Sequence, residues 1–374
     1  MSDTMLRLAS TRVDDAQSIT INGRSVGQGH PTLVIAEIGV NHDGRLDRAL
    51  ALVESAWEAG ADAVKLQLFK ASRLVHAKAR LASYQRTTGA ASPVELLQRY
   101  ELTEDEIARV IEAIRQTGML PLATPFSPED VTTIRDFGLP AIKLASPDLV
   151  NPLLIDAAAE LSLPMLVSTG ASRQDEIESA VDHLRGQDAT FALLHCVSSY
   201  PTLDADADLG RIGELARRFD VPAGYSDHTQ NLSAGALAVA SGATIIEKHL
   251  THDRTAKGPD HAASADPRQF REYTFRLREA EQMVGTSAAS RDVAPAEQDV
   301  RIQSRQSLVA RNTINAGRPV TREDLTCQRP GTGIPTTKLD DVLGMIALSD
   351  IPAGSMLDWT DLNVDSTQPA RRAA

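Results

Sequence analysis

Two textures alternate along the chain. Short runs of Val, Ile, Leu and Ala are followed by longer stretches in which apolar positions recur three or four residues apart with polar residues between them. The first texture suits buried parallel strands and the second suits amphipathic helices. The short runs predict strands at 33–38, 63–68, 119–123, 141–144, 165–168, 191–195, 223–225 and 244–248. Segments 46–59, 104–117, 128–137, 174–185 and 233–241 carry the helical period. Thr103 three residues before Glu106 reads as a capping box, and Gly60, Gly118, Gly138 and Gly242 stand where helices must end in a left-handed turn. Eight such repeats close a (β/α)8 TIM barrel.

The flanks read differently. Residues 1–30 form an extension with a hairpin around Asn22-Gly23, 31–285 the barrel, 286–303 a polar linker, 304–364 a small strand-rich domain, and 365–374 a disordered tail. The connection 69–103 is too long for an ordinary loop and is expected to form a lid over the mouth.

Composition narrows the partners. With 374 residues and 42% hydrophobic content the chain can bury one large and one small core. Its net charge of −12 repels nucleic acid and anionic membrane. Cys196 and Cys327 form no CxxC pair, and no amino-terminal run is apolar enough for a signal or membrane helix, so a cytoplasmic location is expected. Both cysteines are expected to be small core side chains. Trp57, on a helix face with Leu50 and Val53, is expected in the core too.

Polar residues at the carboxyl ends of barrel strands face the catalytic mouth. Here nearly every strand end carries one: Glu37, Asn41 and His42; Lys65 and Gln67; Lys143 and Ser146; Ser168 and Thr169; His195, Ser198 and Tyr200; Ser226 and His228; Glu247 and His249. Singly, a buried lysine or histidine is more often structural. Collected at one end they would cost several kcal/mol per unpaired charge, which a purely structural barrel has no reason to bear. Lys65, Lys143, the hydroxyls of Ser146, Ser168 and Ser226 and the Gln67 amide offer donors for a phosphate and a carboxylate at once. His228 and His249, on adjacent strands, suit one divalent cation, Mn2+ or Mg2+ before Zn2+, with the other positions left to water and substrate.

The stretches IAEIGVNHDG at 35–44, KLQLFK at 65–70, TPF at 124–126, STG at 168–170, LHCVSSYP at 194–201, GYSDHT at 224–229, EKH at 247–249 and GPDH at 258–261 resemble the N-acetylneuraminate (sialic acid) synthase family, which includes legionaminic and pseudaminic acid synthases. Residues 307–330 and Leu343-Gly344 resemble the antifreeze-like (SAF) domain that ends those enzymes.

The resemblance implies condensation of phosphoenolpyruvate with an N-acylated amino sugar aldehyde such as N-acetylmannosamine, or with a 2,4-diacetamido hexose. Inorganic phosphate would leave by C–O cleavage. It implies phosphoenolpyruvate-handling roles for Glu37, Lys65, Gln67, Lys143, Ser146, Ser168, Ser198 and Ser226, with Glu247 among them. His228 and His249 match the metal ligands, for Mn2+ first with Mg2+ or Co2+ as alternatives. Tyr200 and Asp260 match sugar contacts, and the lid position of the family's sugar-binding asparagine aligns near Thr88. Arg329 matches an arginine inserted into the partner's active site in a domain-swapped homodimer. Ser198 stands where the family has asparagine, and Lys143 is followed by Leu-Ala-Ser-Pro-Asp rather than Ser-Gly-Glu. The rival readings are a related condensation onto a phosphorylated aldose, for which no spare arginine cluster is present, and a barrel that binds carbohydrate without catalysis.

Overall fold

A computed structural model describes residues 18–76, 78–79, 92–285 and 293–363; the expectations placed on Thr88 and on 365–374 lie outside the described residues. Two compact units divide the chain, residues 1–287 and 288–374.

The first unit opens with an antiparallel hairpin, β1 (Ser18–Ile21) and β2 (Arg24–Gly27). Asn22 and Gly23 take φ of 48° and 79°, the two positive values that a tight two-residue hairpin turn requires. Eight parallel strands follow: β3 (Leu33–Glu37), β4 (Ala63–Leu68), β5 (Leu120–Pro125), β6 (Ile142–Leu144), β7 (Met165–Ser168), β8 (Phe191–Cys196), β9 (Ala223–Asp227) and β10 (Ile245–His249). They close in sequence order, with β10 pairing β3.

Period two sorts the side chains. Val34, Val64, Leu66, Ile142, Val167 and Ile246 face outward into the layer shared with the helices, while Leu33, Ile35, Leu122, Leu166, Leu194 and Ile245 fill the barrel interior. Ile19, Ile21 and Val26 of the hairpin join the interior cluster and stopper the amino-terminal end. Among the described residues the charged side chains of the barrel interior, Glu37, Lys65, Lys143 and Glu247, lie above this packed floor, towards the carboxyl ends. The expected Thr103–Glu106 capping box starts the helix Glu104–Gln116, and Gly60, Gly118, Gly138 and Gly242 all have positive φ.

The second unit is built on two small antiparallel ladders, β11 (Ser307–Ala310) with β12 (Leu325–Gln328) and β13 (Ile346–Ala347) with β14 (Leu362–Asn363). Leu308, Ile314, Val320, Ile334, Val342 and Leu357 form its core.

Three expectations change. Residues 298–303 of the stretch read as linker belong to the helix Gln298–Ser304, to which Gly331 N donates at the Ile302 carbonyl (2.8 Å). Trp57 is 55% exposed, because it sits on the last turn of Leu46–Glu58, off the stripe of Ala49, Leu52, Val53 and Ala56 that is buried. Cys327 is exposed rather than core.

Candidate active site

Register brings Glu37 of β3 opposite Lys65 of β4, and Glu247 of β10 opposite Ser226 of β9. Lys65 Nζ lies 2.9 Å from Glu37 Oε2 and 3.2 Å from Glu247 Oε2, and donates to Thr124 Oγ1 at 3.1 Å. The Ser226 hydroxyl donates to Glu247 Oε1 at 2.9 Å, and the Gln67 amide donates to Glu37 Oε1 at 3.3 Å. Glu37, Lys65 and Glu247 are all buried. Although both carboxylates are within ion-pair reach of Lys65, Glu37 Oε2 and Glu247 Oε2 lack a well-directed hydrogen bond. Their charges are balanced but acceptor capacity is left over, as in a site that takes another donor.

Lys143 of β6 supplies the second ammonium. Its Nζ donates to Ser168 Oγ at 2.6 Å and to the Leu144 carbonyl at 2.9 Å. Gly170 N donates to Ser146 Oγ at 3.0 Å. A β-carbon on Gly170 would stand 2.5 Å from Ser198 Oγ, 2.8 Å from Ser146 Oγ and 3.0 Å from Cys196 Sγ. Only a glycine lets these groups converge. Ser198 itself is exposed at the rim.

These charges tune one another. Burial, joined by the repulsion of Lys143, lowers Lys65 to about 8, against the pull of Glu247. For Glu247 burial opposes ionisation, but Lys143 and Lys65 outweigh it and hold the carboxyl at about 2. Both groups are therefore charged at neutral pH.

The imidazoles of His228 and His249 lie 5.4 Å apart, centroid to centroid, at 60°. His228 Nδ1 lies 2.9 Å from the Val197 carbonyl; a carbonyl only accepts, so Nδ1 carries the proton and Nε2 keeps its lone pair. Burial lowers His249 far below the usual imidazole range, keeping it neutral. His249 Nδ1 is buried with no hydrogen-bond partner and lies 3.7 Å from Asp260 Oδ2. Two lone-pair donors at this spacing, one of them orphaned, fit a shared divalent cation. Among the described residues no three His, Cys, Asp or Glu side chains form a complete cage, so water and substrate would supply the remaining positions.

Around the pair, Tyr200 places its ring 4.1 Å from that of His228 while staying 51% exposed. Burial pushes the Asp260 carboxyl up to about 6, opposed by His228 and His261. His261, at 3.0 Å from Asp43 Oδ1, props the turn that carries Asp260.

One expected participant is placed elsewhere. His195 points out of the barrel, its Nε2 2.8 Å from the Ala207 carbonyl and its ring 5.7 Å from that of Tyr225, so it supports the wall instead of the mouth. Arg329 is an exposed residue of the second unit. Conversely, Thr124 and Cys196 belong to the site. The buried Cys196 Sγ lies 3.7 Å from His228 Nδ1, and although burial opposes it, that contact holds the thiol below its ordinary value. Alternation along β8 places Leu194 and Cys196 inward and His195 outward, a signal already present in the sequence. A cavity of about 380 Å3 beside Gly27, His30, Thr244 and Val284 lies at the stoppered end, away from every residue of this cluster.

Comparison with known proteins agrees with the geometry. Residues 52–289 match the NeuB family model, and residues 305–363 match the SAF domain. The chain belongs to the NeuB family. It is 34% identical to the N,N'-diacetyllegionaminic acid synthase of Legionella pneumophila, covering 91% of this chain and 97% of the other. It is 30% identical to the N-acetylneuraminate-9-phosphate synthase of Mus musculus, covering 81% and 85%. The crystal structure of N-acetylneuraminic acid (sialic acid) synthetase from Leptospira borgpetersenii superposes with a TM-score of 0.68 at 33% identity, covering 76% of this chain and 95% of that one. This NeuB chain therefore carries the family's barrel followed by its SAF domain.

Proposed function

We propose that the protein condenses phosphoenolpyruvate with the open-chain aldehyde of an N-acylated amino sugar such as N-acetylmannosamine, forming a nonulosonic acid and inorganic phosphate. The observation that carries this reading is the convergence of Lys65, Lys143 and serine hydroxyls on one pocket directly beside the His228–His249 pair.

The chemistry balances as follows. The methylene carbon of phosphoenolpyruvate attacks the aldehyde carbon, the aldehyde oxygen takes a proton, and water adds to carbon two. The resulting phosphate hemiketal collapses to the ketone as phosphate leaves with the bridging oxygen. Lys65 and Lys143, with Gln67, Ser146, Ser168, Ser198 and Ser226, hold the carboxylate and phosphate, and fixed geometry supplies much of the rate. Glu37 takes the proton of the incoming water through Oε2, which faces Lys65 but accepts no well-directed hydrogen bond; Glu247 is the second candidate. Tyr200 and Asp260 face the sugar. His228 and His249 would hold the cation, Mn2+ before Mg2+ or Co2+, and when bound it supplies Lewis acidity to the aldehyde oxygen.

Labelling the bridging oxygen of phosphoenolpyruvate tests the reaction: the label appears in phosphate, whereas label in the ketone product would overturn it. The alternative acceptor is a 2,4-diacetamido hexose. Phosphate release across both sugars, with mass spectrometry of the products, decides between them.

The same proposal includes a cytoplasmic, domain-swapped homodimer in which Arg329 of one subunit enters the other's mouth. Its support is the Arg-Pro-Gly motif and the exposure of Arg329. Among the described residues no helix is long and apolar enough to cross a membrane.

A further inference from the structure

The outward-facing side chains of β3 to β7 are apolar, with Ala36, Leu66, Ile142 and Val167 as examples, as expected for strands covered by helices. Behind the histidine pair this rule breaks. Asp227 and Lys248, the outward neighbours of His228 and His249, are both buried and stand opposite each other in the β9–β10 register. Lys248 Nζ lies 3.1 Å from Asp227 Oδ2, which also accepts from the Tyr273 hydroxyl at 2.9 Å. Tyr273 arrives from the helix Pro267–Val284, and it passes the helix Ala234–Ala240 at Gly235, where a β-carbon would stand 2.7 Å from the phenol oxygen.

The pair also grips the backbone. Asp227 Oδ1 accepts from Thr229 N at 2.8 Å, and Lys248 Nζ donates to the Thr229 carbonyl. His228 is thus enclosed between a residue that provides the clamp and one that receives it, while His249 follows Lys248 directly. Burying two charges where β3 to β7 use apolar side chains gains nothing for barrel closure. It does fix the separation of two backbones at the height of the imidazoles.

We propose that Asp227, Lys248 and Tyr273 are positioning residues that set the spacing and orientation of His228 and His249 for a shared divalent cation. This rests on the reading of those histidines as its ligands. The supporting partners of metal-binding histidines carry much of a site's affinity.

The test is equilibrium binding of Mn2+ to the full-length, substrate-free protein, followed by electron paramagnetic resonance of the free ion. The charge-neutral double variant Asp227→Asn/Lys248→Met should fold and bind roughly 10- to 100-fold more weakly. Tyr273→Phe should weaken binding several-fold. In both, kcat should fall at saturating Mn2+ while the KM for phosphoenolpyruvate holds. Arg278→Met breaks a partly exposed ion pair with Asp62 (2.6 Å) at the opposite end of the barrel, and should leave Mn2+ affinity alone. Unchanged affinity in the folded double variant, or in Tyr273→Phe should the double variant fail to fold, overturns the positioning role. Equal weakening in Arg278→Met does the same. If the wild-type protein binds no Mn2+ that His249→Ala removes, the ligand assignment fails and takes this proposal with it; intact, His249-dependent binding with no effect of the variants defeats only the positioning role.

Discussion

Glu37 and Lys65 meet across two neighbouring strands at 2.9 Å with almost no solvent around either. Because the same ammonium serves Glu247 at 3.2 Å, removing it leaves two buried carboxylates facing each other. Lys65→Met should cost about 3–5 kcal/mol of unfolding free energy. Adding Glu247→Gln should recover part of that loss without recovering turnover. Urea denaturation monitored by circular dichroism reads the first effect and phosphate release the second; a Lys65→Met protein as stable as wild type would contradict the buried pairing.

The pH response has two opposite signs. With Lys65 at 10.5 when unfolded and about 8 when folded, the unfolded chain holds more protons between those values. Stability from this group therefore rises as pH climbs through that window. Substrate capture moves the other way, since the neutral amine no longer attracts the carboxylate or phosphate. We expect kcat/KM for phosphoenolpyruvate to fall through a pKa near 8, and kcat to fall only at higher pH because the bound trianion keeps the lysine charged. Steady-state profiles in constant-ionic-strength buffers check this; superimposable limbs would speak against Lys65 as the capturing group.

Gly170→Ala probes the wall of the proposed phosphoenolpyruvate pocket. The added methyl meets Ser198, Ser146 and Cys196 at 3.0 Å or less. An increase in the KM for phosphoenolpyruvate of at least about tenfold, the equivalent of ~1.4 kcal/mol, is expected with the melting temperature nearly preserved. Wild-type KM would show that these hydroxyls and the thiol do not line the substrate.

The proposed cation predicts loss of turnover on exhaustive chelation, rescue by Mn2+, and near-total loss in His228→Ala and His249→Ala. Activity surviving complete chelation would remove the cation from the reaction.

Arg329→Ala should raise the sugar KM while leaving the KM for phosphoenolpyruvate and the oligomeric state unchanged. Analytical ultracentrifugation beside steady-state kinetics tests this. Unaltered kinetics in a chain cut at about Gly285 would exclude any contribution of the second unit to the mouth.

Much of this architecture was legible because local rules and tertiary packing agree. Runs such as 63–68 and 165–168 are apolar enough to be strands in any context, and Thr103 with Glu106 announces a helix start by chemistry alone. Lys65, Lys143, Glu247 and the two histidines stood out because charge inside an apolar run needs an explanation. What escaped notice depends on neighbours distant in the chain. Cys196 looks inert until β9 brings His228 beside it, and Thr124 until β4 brings Lys65. His195, a histidine at a strand end, suggests the mouth, but parity turns it outward. Asp227 and Lys248 carry the same lesson in reverse, since their pairing exists only in the register of two strands.

The hairpin stopper has a consequence for traffic. With Ile19, Ile21 and Val26 wedged under a solid apolar floor, the reaction chamber is a blind well with one opening. Under the proposed reaction, phosphoenolpyruvate seated at its bottom beside Lys65 and Lys143 would load before the sugar that rests above it, and phosphate would depart after the sugar product has cleared the exit.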